Sequence, residues 1–294
     1  MKESAILLAH DSHVMDVLFS KSGDTLLSAG MDNKIKSWSV PTWDAKATIE
    51  GHENSVNSLS LSTDEKTLAT SSSDGTVRLW EFPSGELKHT LRGHKKTVAS
   101  AAISPDLQVV ASASYDGTVR LWYFINGESK AVLKGHEKNV ASVAFSTDSK
   151  FLASGGIGGE IIVWSVKSGE IVERLIEHQV AVGSLQFSSD GRYLASSGGD
   201  QRVLIWSTED WTVVRSIEMG SEEGYPRSIA FSLDWQMMAA GSPYNVQLWS
   251  VERCELIEEV TLKIKGVYSL AFSPDGRWLA NAAADKRIRI WDLS

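Results

Sequence analysis

The sequence is poor in the residues that staple, break or anchor a chain. Among 294 residues there is one cysteine, Cys254, which rules out an internal disulfide framework and fits a reducing compartment such as the cytoplasm or nucleus. No stretch reaches the roughly 18 apolar residues that a membrane-spanning helix needs. The opening residues MKESAILLAH carry no basic region followed by a long apolar run, so no secretory signal is seen. No GxxxxGK[ST] phosphate loop occurs, and the glycine-rich tract at 155–159 follows a strand pattern but opens no helix, so it reads as a turn. Basic charge is also short. The net charge is −8, which disfavours a general phosphate-backbone binder. Residues 207–260 hold 10 Asp/Glu and only 3 Lys/Arg, so that segment carries −7 of the total. It reads as a solvated flank or as a docking patch for a basic partner.

What is present is tryptophan, glycine and serine beside Val, Ile and Leu, a mixture that suits short strands and tight turns. Trp stands at 38, 80, 122, 164, 206, 249 and 291, and His at 10, 52, 94, 136 and 178. The steps are 42 residues throughout except 43 between Trp206 and Trp249. The tract DGTVRLW occurs at both 74–80 and 116–122. A 42-residue period thus tiles the chain seven times on average, and such a period marks a repeat architecture.

Within one unit the pattern is that of strands. Residues 56–61 alternate, TDEK turns the chain, 68–72 is a second short run, and SDG turns it again. Residues 76–81 alternate, PSGE makes a third turn, and 87–91 is a fourth strand. No sustained 3.6-residue periodicity is visible, so helix content should be near zero. A four-stranded sheet of this size cannot cover both of its faces, whereas stacking copies around an axis does so and leaves short edges. The seventh Trp lies three residues from Ser294, and 1–8 supplies one strand before the first His. That N-terminal strand is expected to complete the last blade.

The array resembles the WD-repeat (beta-transducin-like) family over its whole length. Gly-His stands at 51–52, 93–94 and 135–136, and the Trp-Asp pair at Trp291-Asp292, while Ser, Glu or Tyr follows the other periodic Trp. The resemblance implies an all-β fold, a seven-bladed β-propeller of four antiparallel strands per blade over residues 1–294 as one domain. It also implies a buried polar tetrad in each well-formed blade. The matching residues are His10, Ser28, Asp32 and Trp38; His52, Thr70, Asp74 and Trp80; His94, Ser112, Asp116 and Trp122; and His178, Ser196, Asp200 and Trp206. Blade four has His136, Ser154 and Trp164, with Gly158 in the aspartate position. Blade six departs most, with Ala239 or Ala240, Pro243, and Glu222 near the histidine position; blade seven has Lys263, Asn281, Asp285 and Trp291.

A Ser/His/Asp set invites a hydrolase reading. Four copies at a fixed period argue instead for a structural device that satisfies buried polar groups, since catalysis needs one exposed hydroxyl at one oxyanion hole. The periodic histidines lie on different blades and cannot converge on one metal. No catalytic residue, metal or cofactor is therefore expected, nor a small-molecule substrate. A channel-site enzyme would need clustered carboxylates or His facing the central channel, and none is apparent.

The resemblance also implies where partners bind: the positions three and five residues after each His and the residue before each turn aspartate. The notable ones are His13, Met15, Met31, Tyr115, Tyr225, Arg227 and Tyr268, with Glu222 and Glu223 beside Tyr225. Blades six, seven and one supply most of the Tyr, Arg and Met, types enriched at interface hot spots. An aromatic, partly acidic groove for a segment with apolar and basic residues is expected there. Only Arg227 is basic, which disfavours phosphopeptide reading. Trp211 and Trp235 lie in turns of the opposite face and are a candidate second patch. The function implied is a non-enzymatic platform for partner proteins within a complex. The alternatives are a recognition propeller belonging to a longer chain and, less favoured, nucleic-acid binding through the basic stretch 88–96.

Overall fold

The computed structural model describes residues 1–220, 226–262 and 266–294. Among the described residues there are 28 strands and no helix. They form seven four-stranded antiparallel sheets, each a blade of a ring. Blades one to six run from inner to outer strand over residues 14–49, 56–92, 98–134, 140–175, 182–218 and 228–261. Blade two shows the rule: Val56–Leu61 lines the channel, Thr67–Ser72 is buried at every residue, and the outermost strand Leu87–Arg92 is largely exposed. The second strand is covered on both faces by neighbouring blades, so it is built mainly of small residues, Ala, Ser and Thr among them, without polar alternation.

The core is divided among the gaps between blades. Seven apolar clusters fill the seven gaps, and each contains one periodic tryptophan. Trp80 of blade two, for instance, packs with Leu27, Ile35 and Ile49 of blade one. Such a ring both fills the gap and donates its Nε1–H to a second-strand hydroxyl in blades one to five, a combination the aliphatic residues cannot supply.

The seventh blade closes the ring. Its own strands Val267–Phe272, Trp278–Ala283 and Arg287–Asp292 are completed by Lys2–Leu8, paired antiparallel from Lys2↔Asp292 to Leu8↔Arg287. The Met1 ammonium reaches Glu258 on the outer strand of blade six. Closure removes the open edge that an unpaired last strand would present.

One irregularity of the inner strands positions the site. In six blades the pairing of first and second strands slips by one residue, placing a β-bulge at Met15, Asn57, Ala99, Ala141, Gly183 and Tyr268. A bulge re-aims its side chain. Blade six pairs Ser228–Phe231 with Met238–Gly241 without that slip.

Candidate functional site

The periodic polar residues form chains running from loop to strand. His10 Nδ1 lies 2.8 Å from Asp32 Oδ1, its Nε2 lies 2.9 Å from Ser28 Oγ, and Trp38 Nε1 donates to the same Oγ at 3.1 Å. His52, Thr70, Asp74 and Trp80 repeat this with contacts of 2.8, 2.8 and 2.9 Å. His94, Ser112, Asp116 and Trp122 do so too, as do His178, Ser196, Asp200 and Trp206. Burial holds the His10, His94 and His178 imidazoles below the usual histidine range, against the pull of the aspartates. Each ring is therefore neutral at pH 7, with Nδ1–H donating to the carboxylate. Burial alone would raise Asp32, Asp74, Asp116 and Asp200, but hydrogen bonds from imidazole, backbone and neighbouring side chains outweigh it and hold all four low. Ser28, Thr70, Ser112 and Ser196 have no exposed surface, so none of these hydroxyls can meet a substrate.

Blade four reaches the same result by another residue. Gly158 does stand in the aspartate position, yet Glu160 takes over: its Oε1 lies 2.9 Å from His136 Nδ1, and its Oε2 accepts from Arg174 at 3.0 Å. The signal was available as an acid two positions later, where blades two and three have Thr76 and Thr118. In blade six, where the sequence shows no tetrad, Gln247 accepts from Trp249 Nε1 at 3.2 Å and donates to Glu259. Ala239 and Ala240 are simply buried. In blade seven Asn281 accepts from Trp291 at 2.8 Å, and Asp285 pairs with Arg289 at 2.6 Å.

The bulged residues meet at the mouth of the central channel. Ala99, Ala141 and Gly183 make one side of that mouth small; Met15, Arg227 and Tyr268 make the other side bulky, around a cavity of about 440 Å³. His13 stacks on Tyr268 with ring centres 5.8 Å apart, and the Arg227 guanidinium lies 5.6 Å from the Tyr268 ring centre. Met31 is exposed beside them, its amide held at 2.9 Å by the His13 carbonyl. The structure thus brings together His13, Met15, Arg227 and Tyr268 from blades one, six and seven. Tyr115 is exposed on blade three, apart from that group. Glu222, Glu223, Tyr225 and Lys263 lie outside the described residues.

One channel residue was missed. No clustered carboxylate faces the channel among the described residues, but a single one does: Asp16, one residue below Met15. Burial pushes its carboxyl up to about 6, although Ser269, Leu59 and Val17 donate hydrogen bonds to it. The sequence did contain a signal. The corresponding residue is Ser58, Ser100, Ser142, Ser184, Ser228 or Ser269 in every other blade.

The two tryptophans proposed as a second patch keep part of their surface exposed and pack separately. Trp211 and Trp235 are half-buried and sit in different clusters. Trp211 meets Phe151 of blade four edge-on at 5.7 Å, and Trp235 stacks on Phe231 at 4.1 Å and on Tyr193 of blade five at 6.4 Å. Both occupy turn positions with left-handed backbone, φ 58° each, which other blades fill with Gly85, Gly127 or Gly191. That backbone turns the indole inward over the preceding blade. Trp43 does the same against Trp278.

Among the described residues no group of three or more His, Cys, Asp or Glu could hold a metal ion, and no helix is long and apolar enough to cross a membrane. The chain is similar over 50 residues to the human WD repeat-containing protein 36, at 38% identity, covering 17% of this chain and 6% of that protein. It is also 38% identical over 58 residues to a coronin-like protein of Saccharomyces cerevisiae, covering 19% of this chain and 9% of that one. Each match spans under a tenth of the relative's length. The family model described as WD domain, G-beta repeat matches residues 1–39, 43–81, 85–123, 127–165, 169–207 and 260–292, leaving only the irregular sixth unit and short joints uncovered. With seven closed blades and matches over most of its length, the chain belongs to the WD-repeat family.

Proposed function

We propose that this propeller is a non-enzymatic platform that holds partner proteins or peptide segments at the bulky side of its channel mouth, as a subunit of a multiprotein complex in a reducing compartment such as the cytoplasm or nucleus. WD-repeat propellers generally bind proteins or peptides. The observation that supports this particular arc is the lopsided mouth: Met15, Arg227 and Tyr268, with His13 behind them, stand opposite Ala99, Ala141 and Gly183. Aromatic, Met and Arg side chains are the types enriched at interface cores and hot spots, so this wall suits an interface. The acidic character of residues 207–260 favours a partner that is basic as well as apolar.

A second reading, a recognition propeller within a longer protein, draws support from the much greater length of both matched relatives. Comparative pull-downs from the source cell, read by mass spectrometry, test the mouth. The double variant Met15→Ala/Tyr268→Ala should lose a set of proteins that wild type and Tyr115→Ala both retain, with the melting temperature unchanged. Retention of the full set by the double variant would remove this reading.

A further inference from the structure

Just inside the mouth, one residue deeper than the bulges, the seven inner strands contribute Asp16, Ser58, Ser100, Ser142, Ser184, Ser228 and Ser269. Four of the serines share a task, while Ser142 Oγ is buried without a partner among the described residues. Ser58 accepts the Ala101 amide of the next blade at 2.9 Å, Ser100 that of Val143 at 3.4 Å, Ser228 that of Leu270 at 3.1 Å, and Ser269 that of Val17 at 3.4 Å. Asp16 performs it as well, taking the Leu59 amide at 2.7 Å. A neutral hydroxyl is therefore sufficient for the joint, and the charge of Asp16 is surplus to it.

That charge is also uncompensated. Asp16 Oδ1 accepts from the Val17 amide at 2.9 Å and the Ser269 hydroxyl at 2.5 Å, and Oδ2 accepts from Leu59 alone. All three donors are neutral, and among the described residues no cation forms an ion pair with this carboxylate. A desolvated, unpaired charge is costly, and such groups concentrate where a protein binds something. The lone-pair count narrows the ligand. Two donors fill Oδ1, whereas Oδ2 keeps one acceptor direction. That suits a single-point ammonium better than a guanidinium fork, which needs both oxygens. The site is reachable: Asp16 lies three residues, about 10 Å, along the strand from His13 at the rim, on the Tyr268 side.

We propose that Asp16 receives the ammonium of a lysine side chain that a partner segment inserts into the channel past Met15 and Tyr268. This deepens the reading of the mouth as a docking site and rests on it. The remaining ammonium hydrogens face a wall of serine hydroxyls, and the alkyl stem lies along Met15 and the Tyr268 ring.

The test uses the full chain and small probes. Nα-acetyl-lysine methylamide is titrated in solution while the Leu59 and Val17 amide resonances are followed, since both report directly on Asp16. The expected result is a saturable shift of these two signals. The Nε-acetylated probe, equal in backbone but uncharged, should produce none, and the arginine analogue should bind more weakly. Asp16→Ser keeps the amide acceptor and should weaken lysine-probe binding by at least about tenfold, the scale of one lost charge-assisted hydrogen bond. Asp16→Asn serves the same purpose should the serine variant fold poorly. Equal shifts with the uncharged probe, unchanged affinity in both variants, or tighter binding of the arginine analogue would each overturn the proposal. The probe reports on the channel alone and the pull-down comparison on the mouth, so failure of one is distinguishable from failure of the other.

Discussion

The Leu59 amide of blade two donates to Asp16 Oδ2 of blade one at 2.7 Å, tying together two sheets that share no strand pairing. The same carboxylate accepts the Ser269 hydroxyl of blade seven, so one side chain links three blades beside the point where the ring closes. It does so at a cost, because packing into the channel wall strips water from the ionised carboxylate that three neutral donors only partly replace.

Replacing Asp16 should therefore stabilise the fold. Its carboxyl is raised from 3.8 to about 6 in the folded protein. The folded state thus binds the proton more tightly than the unfolded chain, and stability contributed by this group is present below pH 4 and lost as pH rises to about 6. At about 1.4 kcal/mol per pH unit, the ionised form costs up to roughly 3 kcal/mol. Asp16→Ser should melt higher than wild type at pH 7, with the difference vanishing by pH 4. The other ionisable groups near it are Tyr268 and Arg227 at the mouth and His13 behind them. Melting curves of both proteins from pH 4 to 7.5 check this; an equal or lower melting temperature for the variant at pH 7 would contradict it.

The tetrad histidines act with the opposite sign. His10, His94, His136 and His178 are held below 6.5 by burial. Their contribution is present above pH 6.5 and is lost as pH falls toward their folded values. In wild type the protonation of Asp16 opposes this loss. The Asp16→Ser variant should therefore lose stability more steeply than wild type between pH 6 and 4, readable as the slope of melting temperature against pH.

In blade four, Glu160 should carry the weight that Asp74 carries in blade two. Both hold a histidine Nδ1, at 2.9 and 2.8 Å. Glu160→Ala and Asp74→Ala each leave a buried imidazole without its acceptor and should cost about 1–3 kcal/mol in denaturant titrations. Glu160→Gln, which keeps a carbonyl acceptor, should cost less than Glu160→Ala. A neutral effect of Glu160→Ala would show that blade four works without its acid.

Trp235 sets a backbone penalty against an aromatic gain. Its φ of 58° disfavours any residue but glycine, while its ring stacks on Phe231 and Tyr193. Each such ring pair is worth about 0.5–1.5 kcal/mol beyond area burial. Trp235→Gly relieves the backbone and loses the stacking; Trp235→Ala loses the stacking and keeps the penalty. Melting temperatures should fall in the order wild type, Trp235→Gly, Trp235→Ala, and an alanine variant above the glycine variant would contradict the balance.

Deleting residues 1–8 should destabilise the whole ring. The outer edge of Arg287–Asp292 would lose its partner along six paired positions. Circular dichroism melting identical to the full chain would show that the ring closes without this strand.

The sequence by itself determined the number of blades, the four strands in each, the tetrads of blades one, two, three and five, and the closure by the N-terminal strand. All of these depend on residues recurring in phase, and a periodic core leaves a periodic record. It did not determine which residues answer for one another once a blade leaves the pattern. Glu160 is two positions away from the expected aspartate, and only the folded turn shows that its longer side chain reaches His136. Trp211 and Trp235 occupy turn positions, but only the left-handed backbone decides that their rings fold inward over the neighbouring blade. Asp16 was written in the chain as one acid in a register of serines. Its meaning came with the ring, because only closure places that residue on the channel wall where three blades meet and where, among the described residues, no cation pairs with it.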